Sequence, residues 1–169
     1  GGHPSGRRLA KGLGHTIIQP VPSLFSFSTS ENPLKSCAGI TLNVQAKLTV
    51  GKNKHVERGS ILITHKGFSG PVILRLSAFS ARNLYANNYN GDLRINWLHK
   101  SENEVRSIID LFKLENGKKF ILNSKPFNQL PRSLWKALIL SLNFDSQLRW
   151  ADLSKYEKGA LVQCLVRTK

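Results

Sequence analysis

The chain reads as an α+β protein: a small antiparallel β-barrel carrying one helix over residues 15–97, then a helical subdomain over residues 98–169. Three observations predict this. In "ITLNVQAKLTV", Ile40, Leu42, Val44, Ala46, Leu48 and Val50 alternate strictly with polar residues, and period 2 over that length marks a strand with one buried and one wet face. Beyond residue 97 the apolar residues recur instead at helical spacing, i, i+3, i+4 and i+7. With 169 residues, of which 40% are hydrophobic, the chain is also long and apolar enough to bury a core.

The elements follow in order. "SGRRLAKGLGH" is the end of a helix, with Gly14 where a left-handed cap is wanted, and residues 1–14 form a helix end or connector. "HTIIQ" and "LFSFS" predict short strands, joined by an extended link that Pro20 and Pro22 impose. After the 40–50 strand, "SILIT" is the next, with Gly51 and Gly59 flanking a hairpin loop. One helix starts at Pro71, and "DLRINWL" then alternates through Leu93, Ile95 and Trp97. In "SENEVRSIIDLFKL", Ser101 and Glu104 have capping-box spacing, ahead of Val105, Ile108, Ile109 and Phe112 on one face. "LPRSLWKALILSL" places Pro131 at a helix start, and "LSKYEKGALVQCLV" repeats the box with Ser154 and Glu157. Trp97, Trp135 and Trp150 sit in apolar patterns and are expected in the core.

Twenty-five Lys and Arg against ten Asp and Glu give a net charge of +15. Such an excess suits a polyanion, whether nucleic acid, membrane surface or phosphorylated ligand. A solvated basic surface that only keeps the protein soluble accounts for it equally well. The densest piece is "KLTVGKNKHVERG", with Lys47, Lys52, Lys54 and Arg58 around the expected hairpin loop. No aromatic residue is interleaved there, so these groups would hold phosphates without reading bases.

Other chemistry is sparse. Cys37 and Cys164 match no metal spacing and read as buried thiols of a reducing compartment, with a disulfide as the alternative, and no pair among His3, His15, His55 and His99 has metal-ligand spacing. No metal is expected. Dinucleotide, Walker and nucleophile-elbow motifs are absent. No apolar run reaches the roughly 20 residues of a membrane span, and no signal core opens the chain. A cytoplasmic protein without a membrane partner is expected, with a plastid as the alternative for a plant source. The lack of Met, even at position 1, predicts a fragment, a processed product or a trimmed form of a chain.

The most informative stretch is "ITHKGFSGPVILRLSAF", Ile63–Phe79. A β-like run ends in Thr-His-Lys, and Gly67, Ser69, Gly70 and Pro71 follow before a helix pattern. Pro71 suits the first helical position, with Ser69 or Gly70 as cap. Free N–H groups at the helix start, with its dipole, offer a place for an anion or an electron-rich ring edge. His65 is close enough in sequence to face the same spot. An ordinary strand–turn–helix connection with a favourable cap explains the same residues.

Several segments together resemble one family. "LAKGLGHTIIQPVPSLFSF" is similar to its G-H-t-I…P-x-P-s-L segment, and "GSILITHKGFSGP" resembles its T-H-x-G-l-S-G-P signature; "INWL", "LPRSLW" and "RWADLS" follow in the expected order. The family is the FAD-dependent oxidoreductases labelled aminoacetone oxidase-type or NAD(FAD)-utilising dehydrogenases, with the flavour of cyanobacterial and plant-type members. The resemblance implies a Rossmann-like FAD domain interrupted by a barrel-and-helix insert, and this chain looks like the insert alone. It would leave the FAD domain at Gly1–Gly2 and stop at Lys169, before the returning FAD segment. Between that glycine pair and the first helix the family's usual residues are shortened to "HPS", and Lys66 makes the signature unusually basic. By the same resemblance, His65, Gly67, Ser69, Gly70 and Pro71 lie on the face that covers the flavin. FAD and the FAD domain of the same longer chain are then the cofactor and partner, and the chain alone is not expected to hold FAD. The family's labels span small amines, other small metabolites and uridine in ribosomal RNA. A net +15 favours RNA, since a small cation would be repelled. The alternative is a basic RNA-binding module with no catalysis of its own.

Overall fold

A computed structural model describes residues 3–169, and the Gly1–Gly2 pair, read above as the exit from an FAD domain, lies outside them. Five strands form one antiparallel sheet: β1 (Phe27–Ser28), β2 (Thr41–Val50), β3 (Asn53–Thr64), β4 (Gly67–Ser69) and β5 (Asp92–Asn96), in the order β1-β4-β3-β2-β5. The sheet curls into an open half-barrel rather than closing. Six helices accompany it: α1 (Pro4–Gly12), α2 (Pro71–Phe79), α3 (Ala81–Ala86), α4 (Glu102–Asn116), α5 (Arg132–Leu140) and α6 (Lys155–Arg167).

The period-2 reading holds in β2, where Val44, Ala46, Leu48 and Val50 are buried and the residues between them are not. Their face packs on α2 through Val72, Ile73 and Leu76, all fully buried. The core is continuous across residue 97. Ile95 and Thr168 exchange backbone hydrogen bonds of 2.9 and 3.1 Å, and Trp97 N–H donates to Leu165 O, so the end of α6 seals the β5 edge. Both capping boxes form: Glu104 Oε2 accepts from Ser101 N–H at 2.7 Å, and Glu157 Oε2 from Ser154 N–H at 2.9 Å. The three tryptophans are buried, and each indole N–H finds an acceptor, in Thr168 Oγ1, Ile121 O and Ser124 Oγ. A buried indole needs such a partner to avoid the cost of an unmade hydrogen bond.

Three expectations are corrected. "HTIIQ" forms no strand, and of "LFSFS" only Phe27–Ser28 pairs. The two prolines nearby offer no donor, and Ile18 stays 71% exposed, so nothing draws this stretch into the sheet. The helix after Pro71 is two helices, because the chain turns at Ser80 and brings Ala81 and Leu84 back onto the core. The hairpin loop expected between Gly51 and Gly59 is a two-residue turn. Gly51, at φ +57, reverses the chain so tightly that Val50 already pairs with Asn53. β3 therefore starts seven residues earlier than "SILIT", and Lys54 and Arg58 lie in a strand. Helix α1 ends as the sequence predicts, with Gly14 at φ +84 and His15 N–H donating to Ala10 O, yet none of its residues is buried.

Candidate functional site

The signature stretch is spread along an element. His65 and Lys66 make the turn after β3, β4 runs from Gly67 to Ser69, Gly70 caps, and Pro71 opens α2. β4 thus stands between His65 and Pro71, which six residues of extended chain can hold up to ~20 Å apart. Phe68 anchors β4 inward, its ring 6.5 Å from that of Trp97.

The turn is pinned from outside. Asn32 Nδ2 donates to Thr64 O at 2.9 Å and to His65 O at 3.3 Å, and Thr29 N–H donates to Lys66 O. The imidazole of His65 is exposed and has no hydrogen-bond partner among the described residues. Ser69 Oγ accepts from Ser26 Oγ at 2.7 Å. At the helix start Pro71 has no N–H, and the Ile73 and Leu74 amides donate to Gly70 O, so little remains there for an anion.

Gly67 and Gly70 have a reason internal to the fold. A Cβ on Gly67 would fall under 3.0 Å from Phe27 O, closer than real Cβ atoms come, and 3.0 Å from Ser28 Cα. One on Gly70 would meet Leu62 N at 2.9 Å and Ser60 O at 3.0 Å. What approaches these glycines is the chain's own β1 and β3 backbone. The two glycines are thus required by strand packing within the chain. Exposed along the stretch are His65, Lys66 and Pro71.

The basic residues come together differently. In the β2–β3–β5 register, Arg58, Gln45 and Asn96 lie side by side, then Val56, Lys47 and Arg94, then Lys54, Thr49 and Asp92. All nine side chains point away from the core, opposite Ala46, Leu48 and Ile95. Lys47, Lys54 and Arg58 share this outer face, whereas Lys52 sits in the exposed turn beyond it. Arg94, Gln45 and Asn96 were missed as members. The alternation in "DLRINWL" already turned Arg94 and Asn96 outward, but only the pairing of β5 with β2 sets them beside Lys47.

Burial pushes the Cys164 thiol up to about 11 and raises that of Cys37; both are free. Among the described residues no group of three or more His, Cys, Asp or Glu could hold a metal, and no helix is long and apolar enough to cross a membrane.

Residues 21–169 match the family model of the HI0933-like protein barrel and H2TH domain. The 3-dehydro-bile acid delta(4,6)-reductase of Clostridium scindens is 26% identical over 171 residues, covering 96% of this chain and 42% of that protein. The ribosomal RNA dihydrouridine synthase of Haemophilus influenzae is 32% identical over 81 residues, covering 47% of this chain and 20% of that protein. The chain thus spans less than half the length of either relative. Neither supports the narrower likeness to cyanobacterial and plant-type members.

Proposed function

This chain belongs to the HI0933-like barrel and H2TH family, and from that premise we propose that it is the substrate-covering insert of an FAD-dependent oxidoreductase acting on uridine in RNA. The reading joins the resemblance of the Thr64–Pro71 signature to the names of the two relatives, a reductase and a ribosomal RNA dihydrouridine synthase. The FAD, held by another part of the longer protein, would supply hydride chemistry. This chain contributes position and enclosure: a curled sheet and a pinned turn that set side chains against a neighbouring surface and keep water out.

One observation carries the assignment. His65 has a backbone clamped by Asn32 and an imidazole committed to nothing within the chain. A turn held that firmly around an exposed, unpartnered His suits a residue placed for contact rather than packing. Ser69 and Pro71 extend the same strip, and Gly67 and Gly70 serve it by letting β4 close against β1 and β3. The alternative of an RNA-holding module without catalysis draws on the basic outer face of the sheet.

The test is His65→Ala in the longer flavoprotein. Turnover is expected to fall at least tenfold while the melting temperature stays within a degree or two, since an exposed imidazole contributes little to folding. A melting temperature lower by many degrees, with activity per folded molecule retained, would make His65 a packing residue and end the assignment.

A further inference from the structure

The outer face of β2, β3 and β5 carries four cations, Lys47, Lys54, Arg58 and Arg94. Its one carboxylate, Asp92, is already engaged by Arg94 Nη2 at 3.2 Å. Uncharged hydrogen-bonding groups, Gln45 and Thr49, fill positions between, while the Asn96 amide is engaged by Lys100 O and Leu98 N–H. Among the nine positions around these cations the only apolar residue is Val56, half exposed at 50%, with part-buried Leu62 further along β3 on the same side, and no aromatic side chain lies on the face.

We infer that this face is a docking surface for an RNA backbone, with Lys47, Lys54, Arg58 and Arg94 contacting phosphates and Gln45 and Thr49 the neighbouring phosphate and sugar oxygens. The inference rests on the proposal that the longer protein acts on RNA, and it adds which surface of this chain meets the substrate. Size decides against a single small anion. Lys54 and Arg58 are four residues apart along β3, about 13 Å, and β3 and β5 are two strand spacings apart, about 10 Å. One phosphate cannot reach all four cations, whereas a chain of phosphates can. The polar residues between them favour RNA over an anionic bilayer, because amides and hydroxyls complement phosphate and sugar oxygens. Half-exposed Val56 and part-buried Leu62 also offer a bilayer little apolar area. The lack of aromatics means that bases are not stacked, so binding should be indifferent to sequence.

The experiment measures binding of the chain to a fluorescent single-stranded RNA and to vesicles of mixed anionic and zwitterionic lipid, at several salt concentrations. It compares wild type with the triple variant Lys47→Gln, Lys54→Gln, Arg58→Gln. A second triple, Lys118→Gln, Lys119→Gln, Arg149→Gln, removes the same charge from the helical region. Arg94 is left in place so that Asp92 keeps its partner. Loss of three phosphate contacts should lower the log–log salt slope by about 2, which removes roughly a twentyfold change in affinity between about 50 and 200 mM salt. The control triple should keep most of the wild-type slope. Equal losses in both variants would leave RNA binding intact but overturn this surface as its site. No RNA binding by wild type would overturn both the surface and the RNA substrate. Tighter, face-dependent binding to vesicles than to RNA would make the partner a membrane and overturn the inference.

Discussion

Gly67→Ala is the perturbation that separates a glycine kept for packing from one kept for a ligand. Gly67 has φ +150, a conformation that costs an L residue about 1–3 kcal/mol. The added methyl would also collide with Phe27 O and crowd Ser28 Cα. Relief requires β1 to move off β4. That would stretch the Thr29–Lys66 and Ser26–Ser69 hydrogen bonds, each contributing about 1 kcal/mol, and loosen Phe27 from the core. The sum is about 3–5 kcal/mol, or a melting temperature lower by roughly 10 °C for a domain of this size. Gly39→Ala is the control: its φ is +93, but nothing lies within 4 Å of the added Cβ. It should cost only the backbone strain, about 1–2 kcal/mol. Thermal and denaturant unfolding of both variants is the assay. If Gly67→Ala melts within a degree or two of wild type, crowding by β1 is not what demands glycine there, and the open side would have to be kept for something outside the chain.

Two further outcomes are expected. Ser154→Ala removes the cap of α6, the helix that seals β5, and should cost about 1 kcal/mol at neutral pH. The Ser154 hydroxyl and backbone N–H hold the Glu157 carboxyl below its ordinary value. Because the folded pKa is depressed, the Glu157 contribution is present above about pH 4.5 and lost as pH falls through the folded value. Denaturant melts at pH 7 and pH 3 should therefore show the variant's deficit narrowing in acid, and an unchanged deficit would assign it wholly to the Ser154 hydroxyl. Cys164, its thiol raised to about 11 by desolvation, should resist alkylation at pH 8 in the folded chain and react once denatured. Here the folded pKa lies above the unfolded one, so stability is intact below about pH 9 and declines as pH rises toward 11. Rapid native labelling of Cys164 would mean that α6 opens readily.

The legible parts of this molecule are those whose signal is local. Ser101 with Glu104, and Ser154 with Glu157, close their boxes within three residues, so spacing alone identifies them. The β2 alternation and the three core tryptophans need only a period and an apolar context. "HTIIQ" misled because β-branched residues suit a strand only when a partner strand is there to bury them, and here none is. The site was legible by half. The T-H-x-G-x-S-G-P stretch stands out by composition, and Pro71 does open a helix. That β4 would part His65 from Pro71, and that Asn32, thirty-three residues away, would clamp the turn, depends on pairings between distant segments.

By itself the sequence determined the β2 strand and its buried face, the capped starts of the helices at Ser101 and Ser154, the tryptophan core positions, and a large basic excess. Each of these follows from side-chain size, period and charge within a short window. Only the tertiary structure decided which strands lie side by side, because register is set by whole faces closing on one core and by turn geometry at Gly51. That pairing moved Lys54 and Arg58 out of an imagined loop onto a sheet, set Arg94 beside Lys47, and placed the β1 and β3 backbone against Gly67 and Gly70. The close approach that those glycines advertise in the sequence was made by the chain's own strands. No window of residues reveals which backbone will arrive, since that is settled when the apolar faces of distant segments are buried together.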